Sequence, residues 1–235
     1  MASSSSIAVM SGLALEVAVN RWLKPAFEAA SPYRLEIDWR PTTAIMKSIA
    51  EGQRADVVIA IDGSMDKLCA DRIVRPETRV CLADSILGVG VREGAPKPDV
   101  STVEAFKRAL VAARVAYSRA GASGIYFTGL VERLGIAAEV NARAVAIPMG
   151  FTGEKVASGE ADIAIQQVSE LMSVPGVAVA GPFPAEVQTV STFDAAIFAD
   201  AANPDGAAAL MALLASSAAA KAYGDGGLVS RLPHS

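Results

Sequence analysis

The sequence predicts an α/β protein built as two lobes. Apolar strand-like runs alternate with helical patterns from residue 7 onward. The texture changes around residues 85–100, where glycine and proline interrupt the alternation, and a second series of the same kind follows. Alternating strands and helices give open, largely parallel sheets covered by helices. At about 150 residues per domain as a prior, 235 residues allow one large or two small domains.

Each element has a reason. Ile7–Met10 reads as a buried strand, and Ser11-Gly12 as the turn into a helix from Leu13 to Ala29. Leu13, Val17, Trp22, Leu23 and Phe27 recur at helical spacing there, and Pro25 is expected to kink or divide the helix. Tyr33 to Trp39 alternates apolar Leu35, Ile37 and Trp39 with charged residues, as a half-exposed strand does. The turn Arg40-Pro41-Thr42-Thr43 leads into a helix ending near Gly52, and Asp56 to Ile61 is the continuous apolar run of a central parallel strand. In the second series, Ser85 to Val91 is a strand and Arg92 to Val100 a connection. Ser101-Thr102-Val103-Glu104 is a capping box opening a helix to Ala112. Arg114 to Ser118, Val145 to Ile147 and Asp162 to Ile165 follow as strands. Helices are expected at Ile125 to Leu134 and Thr152 to Ser158. After Pro182–Pro184, Val187 to Phe198 is a long strand, and Asn203-Pro204 opens one alanine-rich helix to Tyr223. Two strands, Ser85–Val91 and Val187–Phe198, read as crossings. They divide the chain into lobe I, residues 1–88 plus 190–235, and lobe II, residues 89–189. Such lobes can hinge around a cleft, with ligands at strand C-terminal ends.

Composition narrows the chemistry. A hydrophobic share of 52% with 20% charge describes an ordered globular chain, and a net charge of −4 argues against nucleic acid as a partner. The single histidine, His234, is the penultimate residue, which excludes a Ser-His-Asp triad, a Cys-His dyad or a histidine-ligated metal site. Cys69 and Cys81 form no C-x-x-C pair and are expected as two buried thiols. Apolar runs stop well short of the roughly 18 residues a spanning helix needs. The start, Met1-Ala2-Ser3-Ser4-Ser5-Ser6, lacks a basic region followed by an apolar core. The expected location is periplasmic if a leader was removed and cytoplasmic if the sequence is native.

The candidate site lies in the strand-to-helix turns, because helix N-terminal amides favour anions. Ser11-Gly12, Thr42-Thr43, Ala122-Ser123-Gly124 and Met149-Gly150 carry the small or hydroxyl residues that close approach to a ligand requires. Arg40 and Arg119 each follow a strand directly and precede such a turn, and arginine presents a planar fork to carboxylate or phosphate. Gln166 and Gln167 end a strand and either face the ligand or hold the next loop. Tyr126 either reaches the ligand or packs. Gly88-Val89-Gly90 does not follow the dinucleotide pattern and no P-loop occurs, so no cofactor and no metal are expected.

At this level the chain resembles the periplasmic molybdate-binding proteins. The resemblance rests on Ile7-Ala8-Val9-Met10-Ser11-Gly12, Ala55-Asp56-Val57-Val58-Ile59 and Ala122-Ser123-Gly124-Ile125-Tyr126. It rests also on Gly159-Glu160-Ala161-Asp162-Ile163-Ala164 with Gln166-Gln167-Val168-Ser169-Glu170-Leu171. It implies the type II periplasmic-binding-protein fold: two α/β lobes, two hinge strands and a ligand closed between them. Carried over, Ala14 takes the place of a first-turn serine, Thr42 of a second serine, Ser123 and Met149 of amide donors, and Gln167 of a tyrosine. Ala14 and Gln167 depart from that pattern. With Arg40 and Arg119 added, a polycarboxylate fits better than a compact oxyanion.

Two functions follow. The first is a monomeric solute-binding protein that closes on a small anion, a di- or tricarboxylate ahead of molybdate, with an ABC permease as partner. The alternative is an enzyme on the same fold, resembling aconitate isomerase, a relative of that family, and isomerising a polycarboxylate by proton transfer. Tyr126, Glu154 and Ser11 are the candidate bases, and spacing singles out none. A DNA-binding regulator's effector domain is disfavoured, because the chain starts at its first strand.

Overall fold

The computed structural model describes residues 6–232, so His234 and the expectations at residues 1–5 lie outside the described residues. Strand β1 (Ser6–Ser11) is followed by a helical stretch over residues 13–30. That stretch comprises a 3-10 turn (Leu13–Leu15), α1 (Glu16–Ala18), a π turn (Val19–Leu23) and α2 (Lys24–Ala30). Pro25 does not divide it. The wider π turn just ahead leaves room for the proline ring and needs no hydrogen bond from its nitrogen. Next come β2 (Arg34–Trp39), α3 (Thr42–Ala50), β3 (Val57–Ile61), α4 (Asp62–Ala70) and β4 (Val80–Arg92).

The second series is α5 (Val103–Ala112), β5 (Val115–Ser118), α6 (Ala122–Arg133), α7 (Ala137–Asn141), β6 (Val145–Ile147), α8 (Gly153–Ala157), β7 (Ile163–Gln167), α9 (Val168–Met172) and β8 (Val177–Pro182). Then follow β9 (Val190–Ile197), α10 (Pro204–Leu214), α11 (Ser217–Asp225) and β10 (Val229–Ser230). Strand β8 and helix α4 carry no expectation from the sequence.

Several boundaries differ from the expectations; β4 starts at Val80 rather than Ser85, and β9 at Val190 rather than Val187. The cap of α5 is Thr102, whose side chain accepts from Ala105 N, because Asp99 takes both the amide and the hydroxyl of Ser101. The last helix is two helices meeting at a bend of 65°. Ser216 starts a new cap there by accepting from Ala219 N. Asn203 caps α10 through Gly206 N, as its N-cap position predicts. Helix α6 starts at Ala122, three residues before the expected Ile125, since Gly121 is its extended cap. Both cysteines are free and half-buried. Among the described residues, no single helix is long and apolar enough to cross a membrane.

The chain forms two compact units. The first holds residues up to Asp84 and from Ser191 onward, and the second Ser85–Val190. The first boundary falls at Asp84, four residues before the expected 88, because Leu87 and Gly88 already pair with Gln167 and Gln166 of the second unit.

In the first unit, β1 pairs in parallel with β2 and β3, and β9 pairs antiparallel with β3. Ile7 and Val9 of β1 and Val57 and Ile59 of β3 enter one core, against Phe27, Leu210 and Tyr223. Met10, Val58 and Ala60 enter the other, against Ile45 and Met65. The continuous apolar reading of β3 follows from this two-sided burial. Asp56 ties the sheet to α10, accepting from Ala8 N and Asn203 N.

In the second unit, β7 lies between β4 and β5, β6 flanks β5, and β8 lies on the other edge of β4. Ile163 and Ile165 face Phe106 and Phe127, while Ala164 faces Val156 and Leu171. The small residues Gly88 and Gly90 of β4 let Val168 and Leu171 of α9 approach the sheet.

Candidate functional site

In the first unit, parallel pairing brings Ser11, Trp39 and Ile59 to one level, so the turns after β1 and β2 leave the same sheet edge. Gly12 N donates to Ile59 O at 3.0 Å, and Arg40 N to Ser11 O at 3.1 Å. Gly12 has no room for a side chain: a Cβ there would lie 2.7 Å from the Phe193 ring and 3.6 Å from Thr42 Oγ1. Ser11 is buried, its hydroxyl donating to Gly12 O at 3.2 Å. Thr42 is buried at the first position of α3 and Thr43 is exposed beside it; Pro41, which precedes them, contributes no side-chain cap. The structure therefore gathers Ser11, Gly12 and Thr42.

Arg40 does not join them as a free cation. Its guanidinium donates to both carboxylate oxygens of Asp38, to Ser48 Oγ at 2.7 Å and to Gln53 Oε1 at 3.2 Å. The expectation of a ligand-facing Arg40 is corrected here. Asp38, one strand residue away from Trp39, and Gln53, beyond the helix, supply the acceptors that a ligand was expected to supply.

In the second unit, β5 ends at Ser118, level with Ile147 of β6. The next two amides follow the same direction, Arg119 N to Ile147 O at 2.9 Å and Ala120 N to Pro148 O at 3.0 Å. Ser118 Oγ accepts from Gly121 N at 3.2 Å, and Ser118 and Ser123 are both buried. Gly124 sits directly on the backbone of Ser118, a contact that only glycine permits. Helix α6, twelve residues long, opens here without a side-chain cap. Arg119 is exposed beside this opening, and its guanidinium has no ion-pair or hydrogen-bond partner among the described residues.

The glutamines divide. Gln166 holds a loop: its Oε1 accepts from Thr152 N at 2.7 Å and Thr152 Oγ1 at 2.8 Å, and its Nε2 donates to Gly150 O at 3.1 Å. Gln167 is 3% exposed, and its Oε1 is buried with no hydrogen-bond partner among the described residues. Met149 is 51% exposed at the loop that Gln166 anchors, next to Gly150 at φ +100°. Tyr126 packs: its hydroxyl donates to Val187 O at 2.9 Å and Arg133 lies 5.3 Å from its ring centre. The polar atoms of both Gln166 and Tyr126 have protein partners. Glu154 is exposed on α8.

Sequence reasoning missed three residues that shape these turns: Ser118, Thr152 and Phe193. Ser118 was signalled by its place between a strand and a glycine-rich turn. Phe193 reaches the Gly12 turn from a strand distant in sequence, and Thr152 finds its partner Gln166 across to β7, so neither leaves a local sign. Glu16 is the one charged residue between Leu13 and Asn20, on an otherwise apolar helix. Its Oε2 is buried without a partner, and burial holds its pKa above the ordinary glutamate range.

Comparison with known proteins gives a consistent picture. A family model described as bacterial extracellular solute-binding protein matches residues 7–229. A Pseudomonas protein named aconitate isomerase is 39% identical over 215 residues, covering 88% of this chain and 82% of that one. Among solved structures, the periplasmic molybdate-binding protein of Azotobacter vinelandii superposes with a TM-score of 0.78 at 19% identity, covering 97% of this chain and 100% of that one. The sulfate-binding protein SubI of Mycobacterium tuberculosis gives 0.76 at 15% identity, with 97% and 88% covered. At these identities the two structures establish the fold, which is that of the type II periplasmic binding proteins.

Proposed function

The chain belongs to the bacterial extracellular solute-binding proteins, and from that premise we propose that its ligand is a small organic polycarboxylate. The observation that carries the reading is Arg119, a guanidinium without a protein partner among the described residues, beside the uncapped start of α6. Amides and a planar fork together suit a carboxylate. Gln167 supports it, because an unpartnered buried Oε1 seeks a donor. A ligand hydroxyl, as on citrate, offers one, whereas sulfate, molybdate and an ionised carboxylate at neutral pH do not. In this role the protein works outside the cytoplasmic membrane with an ABC permease as partner. Isothermal titration with trans-aconitate, cis-aconitate, citrate, sulfate and molybdate tests the reading. Binding of a tricarboxylate is expected, and binding of the inorganic anions alone would overturn it.

The name of the Pseudomonas relative favours a second reading, in which the bound polycarboxylate is also isomerised. In aconitate, the methylene next to the double bond is acidified by its carboxylate. Removing one proton there leaves an electron pair delocalised over three carbons, and returning it at the far carbon moves the double bond. Bonds, atoms and electrons balance without a cofactor or metal. The reaction needs one basic group and cationic stabilisation of the intermediate. Proton NMR of trans-aconitate incubated with the protein follows the isomer ratio, and a ratio that stays constant at high protein concentration would reject catalysis.

A further inference from the structure

We infer that Ser85 and Gln167 together hold the hydroxyl of a hydroxylated polycarboxylate, so that the ligand is a hydroxy acid of the citrate kind. This deepens the polycarboxylate reading and rests on it. Among the described residues of the second unit, three buried side-chain oxygens have no hydrogen-bond partner: Ser85 Oγ, Gln167 Oε1 and Ser169 Oγ. Their residues are 1%, 3% and 1% exposed. Buried polar groups are nearly always paired, so open ones gathered in one unit call for a partner from outside the chain.

Strand pairing puts two of them on one face. Leu87 of β4 lies opposite Gln167 of β7. Side chains alternate along a strand, so Ser85 shares the face of Leu87, and Gln167 that of Ile163 and Ile165. Leu87, Ile163 and Ile165 all enter the core that Phe127 of α6 covers, whereas Gly88 and Gly90 face α9 on the other side. Ser85 is thus the diagonal neighbour of Gln167. That separation, about 7–8 Å, lets one bound group touch both side chains.

The same end of the sheet carries the turn already described. Strand β5 runs parallel to β7, and α6 starts against the backbone of Ser118 at the end of β5. Gln167 ends β7 on the face that α6 packs against, and Ser85 lies two residues further out on antiparallel β4. Arg119 follows β5 directly at this end. Ser169, two residues after Gln167, lies in the first turn of α9.

The chemistry of the pair selects a hydroxyl. Gln167 Oε1 only accepts, while Ser85 Oγ both donates and accepts. A ligand hydroxyl accepts from Ser85 and donates to Gln167, which satisfies both. An ionised carboxylate accepts from Ser85 and leaves Gln167 open. The amide opposite is already spent, since Leu87 N donates to Gln188 Oε1 at 2.9 Å.

Isothermal titration compares citrate with tricarballylate, which is citrate without its hydroxyl, for wild type, Ser85→Ala and Gln167→Leu. Circular dichroism checks folding, and the wild-type comparison stands even where a variant does not fold. Wild type is expected to bind citrate about 10- to 100-fold more tightly, the ratio to which a buried acceptor left unpaired corresponds. In each variant the ratio should fall toward one. Equal binding of the two acids by wild type is the result if ordered water alone fills the position. It overturns the hydroxyl assignment and leaves the polycarboxylate reading standing. A citrate preference unchanged in folded Ser85→Ala overturns the assignment as well. Wild type that binds neither acid nor aconitate overturns both.

Discussion

A Cβ placed on Gly124 lies 1.5 Å from the carbonyl oxygen of Ser118, so helix α6 meets the end of strand β5 backbone against backbone. The turn between them can be short only because that position carries no side chain. Gly124→Ala must push the helix away from the strand. Overpacking commonly costs about 1–3 kcal/mol, and contact with backbone places this case at the upper end. Urea unfolding should show the loss. Gly129→Ala, on the same helix, meets only the end of Arg133 at 3.6 Å and should hold or raise stability.

The two arginines should separate in a binding experiment. Arg119→Ala removes a guanidinium that no group among the described residues engages, and a lost charge-assisted hydrogen bond costs about 1.5–3 kcal/mol. Tricarboxylate affinity should fall by about 10- to 150-fold in isothermal titration, since each 1.4 kcal/mol is tenfold. Arg40→Ala breaks contacts to Asp38, Ser48 and Gln53 instead. Affinity should stay near wild type, with a small loss of stability of the size surface ion pairs give, about 0.2–1 kcal/mol.

Neighbouring glutamines should give opposite results. Gln166→Leu strands the amide and hydroxyl of Thr152 and the carbonyl of Gly150. Leaving a buried group unsatisfied costs about 1–3 kcal/mol, so Tm should drop clearly. Gln167→Leu removes an oxygen that has no protein partner, so Tm should change little while tricarboxylate affinity falls. Calorimetric melting and titration of the same two variants read both quantities.

Glu16 makes stability depend on pH in a defined direction. Burial raises its pKa in the folded protein above the ordinary value of 4.5, so the folded state holds more protons between those two pKa values. Stability contributed by this group is therefore present below the unfolded pKa and lost as pH rises through the folded one. Glu16→Gln should raise Tm at pH 8, and the gain should vanish at pH 4. A Tm difference that is the same at both pH values would contradict burial of the charge.

Much of this was legible residue by residue. The alternation of Tyr33 to Trp39 and the apolar run of Asp56 to Ile61 mark one half-exposed and one central strand because burial on one or two faces leaves different periods. Asn203-Pro204 marks a helix start because capping is local chemistry. Strand β8 escaped notice because Val177–Pro182 has no clear period of its own and exists by pairing with β4, about ninety residues earlier. The cap of α5 moved by one residue for a similar reason: Asp99 competed for Ser101.

For the candidate site, residue type and position in a turn nominated Ser11, Gly12, Thr42, Ser123, Gly124 and Arg119, and the structure places each in or beside a strand-to-helix turn. Composition also limits any histidine chemistry to one residue, His234. Which side chains remain open to a ligand is a different matter. Arg40 and Arg119 look alike in sequence, each between a strand and a turn. Arg40 finds Asp38, Ser48 and Gln53, while Arg119 finds no partner among the described residues. Gln166 finds Thr152, and Gln167 beside it finds none for its oxygen. A hydrogen bond depends on ångström distances between groups far apart along the chain. Sequence can nominate a polar residue, but folding determines whether its partner is the protein itself or a ligand.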